Sequence, residues 1–138
     1  MNHSCIFCQI IKGSKPAKII ERNERVTVIL DINPVAEGHL LVIPNEHIEK
    51  LHDVQNAETA AALMTAMVDA ANKLIDVGIC ANYSIVQANG IYAEQGIDHL
   101  HFHIIPRHKN DGVIFKLDTN QIAALSHNLE AIRTKLSF

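Results

Sequence analysis

No stretch of the 138-residue sequence approaches the roughly 18 consecutive apolar residues of a membrane-spanning helix, so no transmembrane segment is expected. The start, "MNHSCIFCQI", lacks the charged opening and long apolar core of a signal peptide, which makes a cytoplasmic location the expectation. Runs of Lys and Arg are also absent. The 12 basic residues are scattered among 15 acidic ones, for a net charge of −3, which argues against a long nucleic acid as partner. A single nucleotide is not excluded, because one pocket can be rich in donors on an acidic protein. Cysteine is scarce: three residues do not suggest a disulfide framework and read instead as thiols or metal ligands. There is no low-complexity tract, repeat or linker. With 48% hydrophobic and 20% charged residues, the composition excludes disorder and fits one domain over 1–138 with a proper core.

Apolar patterning is plentiful. "AKIIER", "VTVILD", "HLLVIP", "YSIVQA" and "DHLHFHIIPR" read as strands, the first two forming a hairpin around "NE". "CIFCQIIKG" suggests a short helical turn ended by Gly13. Between strands, "DINPVAEG" is a loop rich in turn formers. Asn56 is a good N-cap, Glu58 suits a first turn and Gly78 a stop. Between them Leu63, Met67, Ala70, Leu74 and Val77 form one stripe of a long helix. Ile122, Leu125, Leu129, Ile132 and Leu136 repeat at helical spacing, predicting an amphipathic C-terminal helix over about 119–137, docked on the domain or on a second copy. The expected architecture is α+β, an antiparallel sheet of about five strands with one long helix packed across it.

Nine histidines is a high count, and three fall on alternate positions: His99, His101 and His103 in "DHLHFHIIPR". On a strand over 98–106 these share one face, while Leu100, Phe102 and Ile104 share the other. One face is core and the other a site. Same-face neighbours on a strand lie roughly 6.5–7 Å apart, so three in line strain to converge on one metal. A division of labour fits better, with one imidazole ligating metal, the middle one acting as nucleophile and the third orienting substrate. Neutral imidazole attacks phosphorus well when a hydrogen bond, commonly to a carbonyl, fixes its other nitrogen. The Cys5-x-x-Cys8 spacing allows both thiols to reach one zinc with two further ligands. His47 and His99 are candidates for those, with His3 and His52 as competitors. The redox reading of the pair is the weaker one, and Cys80 reads as a small buried hydrophobe.

"CIFCQIIKG", "DINPVAEGHLLVIPNEHI" and "QANG…HLHFHIIPR" together resemble the histidine triad (HIT) family of nucleotide hydrolases and transferases, over roughly residues 5–108. The resemblance implies a HIT-like fold. It implies that His101 attacks the α-phosphate to form a nucleotidyl-histidine, that His103 contacts the phosphate, and that His39 supports the triad begun by His99. It assigns a closed structural zinc, one per chain, to Cys5, Cys8, His47 and His99. Asp31 would bond the ribose hydroxyls, and Phe7, Ile10, Ile29 and Ile32 would line the base pocket. Before the triad this chain departs from the family pattern, with Ala88 for the usual Asn, Glu94 for Gly and Gly96 for a hydroxyl residue. Asn89, Gln95 and Gly96 then remain as contacts to the phosphate, Gln95 and the backbone amides of the loop as its donors. A triad ending in His103 points to hydrolysis of nucleoside 5′-phosphoramidates or related bonds. The partner is then a purine nucleotide or conjugate, and the assembly a homodimer. The alternatives are a dinucleoside polyphosphate hydrolase, a non-catalytic nucleotide-binding or adaptor module suggested by the altered loop, and, least supported, a metal-storage protein.

Overall fold

Alternation along β2 (Val26–Leu30) and β3 (Leu40–Pro44) builds the two faces of the sheet. In this computed structural model, which describes residues 2–117, 119 and 122–137, Val26, Val28, Leu40 and Val42 pack against Leu63, Met67, Ala70 and Leu74 of α2 (Ala57–Asp76). Ile29, Leu41 and Ile43 point the other way, against Phe7, Cys8, Ile10 and Ile11 of α1 (Ile6–Lys12). Both faces of the central strands are therefore covered. That is why β3 reads as an unbroken apolar run rather than as alternation. Each large aliphatic side chain so buried contributes about 1.5–3 kcal/mol.

With β1 (Ile19–Arg22), β4 (Asn82–Val86) and β5 (Phe102–Arg107), the sheet runs β1-β2-β3-β5-β4. Every pairing is antiparallel, so the expected five-stranded α+β architecture holds. Leu41 lies opposite His103 and Ile29, so the three form one cross-strand row on the α1 side. The helix ends follow their signals. Asn56 accepts the Glu58 N–H at 2.8 Å, and Gly13 closes α1 with φ +90°.

Three expectations need correction. The last strand begins at Phe102 rather than near residue 98, because Leu100 N–H bonds the Ile48 carbonyl at 2.6 Å and leaves the ladder. Alternation nevertheless persists, since Leu100 and Ile104 remain in the α2-side core. Val77 is exposed, because α2 ends one residue before it. The C-terminal helix is two pieces, α3 (Ile122–Ser126) and α4 (Leu129–Leu136), separated by His127 and Asn128, which are weak helix formers. Leu129, Ile132 and Leu136 of α4 are exposed, so α4 is not docked on the domain. Residues 120 and 121 of that predicted helix lie outside the described residues.

Candidate functional site

Four donors converge where α1 meets the segment before β5. Cys5 Sγ lies 3.3 Å from His99 Nδ1, and Cys8 Sγ lies 3.2 Å from His47 Nδ1 and 3.6 Å from His99 Nδ1. All four ligand atoms fall within 4.8 Å of one another. Tetrahedral zinc with Zn–S near 2.3 Å and Zn–N near 2.0 Å sets sulfur–nitrogen spacings of roughly 3.5 Å, so the donor set fits that metal. His99 Nε2–H donates to the Pro44 carbonyl at 2.8 Å, which leaves the Nδ1 lone pair for the thiols' side. Burial holds the His99 imidazolium down to about 4, with the charges of His47 and His101 adding to the effect and the Pro44 carbonyl opposing it. The competitors sit elsewhere: His3 is exposed beside Lys12, and His52 is exposed beside Asp53. Cys80 is buried in the α2-side core.

Two residues on, the His101 ring turns into a pocket of about 200 Å³. A carbonyl only accepts, so the 2.7 Å contact from His101 Nδ1 to the His99 oxygen puts the proton on Nδ1. The Nε2 lone pair is left free. Phe7 stands edge-on to both His99 and His101, at centroid distances of 5.6 and 5.3 Å. Every residue expected at a base or ribose site lines this pocket: Phe7, Ile10, Ile29, Asp31 and Ile32, with His101 and His103. Ile32 stands at the lip, 82% exposed.

Beside His101, at 5.1 Å between ring centroids, His103 joins a second group. His39 Nε2 is 2.9 Å from His103 Nδ1 and 3.4 Å from Asp31 Oδ2, and Asp31 Oδ2 is 4.0 Å from His103 Nδ1. Burial pushes His103 down to about 4, against the pull of Asp31 and aided by repulsion from His101 and His39. Burial likewise lowers His39, and Asp31 partly offsets it. Both rings are neutral at pH 7.

The loop before the triad differs from expectation. Gln95 Nε2 donates to the carbonyls of Glu49 (2.7 Å) and Ile97 (3.1 Å), and its Oε1 accepts the Gly90 N–H at 2.8 Å. Asn89 Oδ1 accepts the Leu51 N–H at 2.8 Å and bonds Gln87. Both side chains hold the loop rather than face the pocket. Gly96 lines a separate cleft against Cys5 and His47. Glu94 adopts φ +66°, the left-handed region in which glycine is the unstrained choice. Sequence reasoning missed Ile6, Pro16, Ala17, Leu30, Asn33, Leu41 and Ile97 as pocket walls. Of these, only Leu41 carried a signal, because it shares a strand face with His39.

The chain matches the HIT domain family over residues 12–110. This protein belongs to the HIT family. It is 41% identical over 104 residues to an adenosine 5′-monophosphoramidase of Schizosaccharomyces pombe, covering 75% of this chain and 74% of that protein. A HIT family structure from Bacillus subtilis superposes with a TM-score of 0.81 at 31% identity, over 99% of both chains. A zinc-bound histidine triad protein from Mycobacterium smegmatis superposes at 0.75 with 33% identity, over 93% of this chain and 97% of that one.

Proposed function

We propose that this HIT protein is a nucleotide hydrolase that cleaves nucleoside 5′-phosphoramidates through a nucleotidyl-histidine on His101. The observation that carries the reading is the 2.7 Å contact of His101 Nδ1 with the His99 carbonyl, which assigns the proton to Nδ1 and a lone pair to Nε2 of a ring that lines an apolar pocket with Asp31. The base lies between Phe7, Ile10 and Ile29, with Ile32 at the lip, and Asp31 accepts hydrogen bonds from the ribose. His101 Nε2 attacks the α-phosphorus. The Nε2–P bond forms as the bond to the leaving nitrogen breaks, and the amine takes up a proton from a solvent water and departs. His103 donates Nε2–H to a phosphate oxygen, where charge grows in the transition state. Water then attacks the phosphorus and gives up a proton to solvent, the Nε2–P bond breaks, and the mononucleotide leaves with His101 restored.

Cys5, Cys8, His47 and His99 hold one zinc per chain. With four protein ligands it leaves no open position, so its contribution is structural. The name of the 41%-identical relative supports the phosphoramidate class. The full chain works as a single cytoplasmic domain and as a homodimer. The dimer reading rests on the exposed stripe Met64, Val68 and Ile75 on α2 and on edge strand β4, whose exposed Ile85 pairs with Ile104 on the α2 side of the sheet.

Adenosine 5′-phosphoramidate incubated with wild type should release AMP, and His101→Ala should reduce release by at least 10³-fold, about the loss expected of a nucleophile, while still binding AMP. Equal release by both proteins would sink the reading.

A further inference from the structure

We propose that the main-chain N–H of Val35 is a positioning group for this chemistry, fixing the tautomer of His39 and, through it, that of His103. The inference rests on the hydrolase reading but is tested apart from it. Val35 N–H points at His39 Nδ1, 3.2 Å away. A backbone amide only donates, so Nδ1 must carry a lone pair. Neutral His39 then has its proton on Nε2, which faces His103 Nδ1 at 2.9 Å. His103 Nδ1 therefore accepts, and the His103 proton sits on Nε2. The reverse arrangement would set the His39 Nδ1–H against the Val35 N–H. It would also turn the His103 proton inward, toward His39 and Asp31, leaving a lone pair to face the phosphate. His39 is 3% exposed, so bulk water does not offer a substitute partner.

The loop is built to aim this amide. Asp31 N–H bonds the His39 carbonyl at 2.9 Å, closing 31–39 at its base. Asn33 N–H bonds Asp31 Oδ1 at 2.9 Å, and His39 N–H bonds the Ala36 carbonyl at 3.1 Å. Pro34 restricts the backbone immediately before Val35. The neighbouring imidazoles thus receive opposite tautomers from main-chain groups. The His99 carbonyl makes His101 a lone-pair donor at Nε2, while the Val35 amide, acting through His39, makes His103 a proton donor at Nε2.

The test uses the full-length protein with 15N-labelled histidine. Long-range 1H–15N correlations should show His39 and His103 each as a single Nε2–H tautomer in wild type and in Val35→Ala, which keeps the N–H. Val35→Pro removes the N–H and should turn both rings into tautomer mixtures. On adenosine 5′-phosphoramidate it should lower kcat roughly 10–100-fold, part of what a positioned proton donor contributes, with KM changed less than about threefold. In a His39→Gln background, where the side-chain amide donates to His103 without a tautomer choice, Val35→Pro should change kcat less than about twofold. An Nδ1–H signal from wild-type His39 overturns the proposal even if Val35→Pro fails to fold. So does an equal kcat loss in both backgrounds. The tautomer readout needs no substrate, so failure of the phosphoramidate reading would appear separately, in the His101→Ala comparison.

Discussion

A histidine can donate, accept or carry charge, and in this site the main chain decides which. His99, His101 and His39 each meet one backbone group at 2.7–3.2 Å. The alternation that puts the triad on one face is plain in "HLHFH", whereas the division between a metal side and a nucleophile is what the family resemblance implies. The tautomers were not legible, because they depend on Pro44 and on a His39–His103 contact 64 residues apart in sequence. Neutral burial also has a thermodynamic consequence. His103, near 6.5 when unfolded and about 4 when folded, binds its proton more weakly in the native state, and His39 is shifted the same way. Stability from these rings is fully present above about pH 6.5 and is lost as pH falls toward 4. Urea unfolding at pH 7 and pH 4.5 should show a loss of roughly 2–3 kcal/mol from this source, reduced in His103→Gln. An unchanged difference in the variant would mean that other groups carry the acid sensitivity.

At the scale of elements, α1 is a seven-residue helix, too short to persist alone, that supplies Phe7 and Ile10 to the pocket. Its anchors are its apolar face and the cysteine pair. In Cys8→Ser, zinc measured by mass spectrometry should fall from about one per chain toward zero, since a structural site needs all four ligands. The same variant should lose about 2–5 kcal/mol of stability and weaken AMP binding, because Phe7 is no longer held beside His101. The helix boundaries were readable from Asn56, Gly13 and Gly78, whose local chemistry decides them. The start of β5 was not. Leu100 gives its N–H to Ile48, a tertiary contact that overrides strand propensity. Gln95 and Asn89 turn from the pocket for a similar reason, since the Gln95 amide bonds the Glu49 carbonyl and the Asn89 amide bonds the Leu51 N–H and the Gln87 side chain.

For the whole molecule, the layered plan was legible because apolar periodicity encodes it. The fate of the C-terminal arm was not, because its exposed Leu129, Ile132 and Leu136 find no cover on the chain that carries them. Light scattering should report a dimer for wild type, and Met64→Glu/Val68→Glu should shift it to monomer at micromolar concentration with the fold retained by circular dichroism. A monomeric wild type would remove the dimer from the functional reading. One arrangement would also mislead an enzymologist. His99, whose ring faces the two thiols, lends its carbonyl to His101 two positions later. On the proposed reading, a chelator that strips zinc from this site should slow turnover, and the dose–response curve should resemble that of a metal-dependent hydrolase although the four-ligand site is separate from the pocket. Substituting another tetrahedral metal should restore the rate without altering substrate preference, as expected of a clamp rather than a reagent.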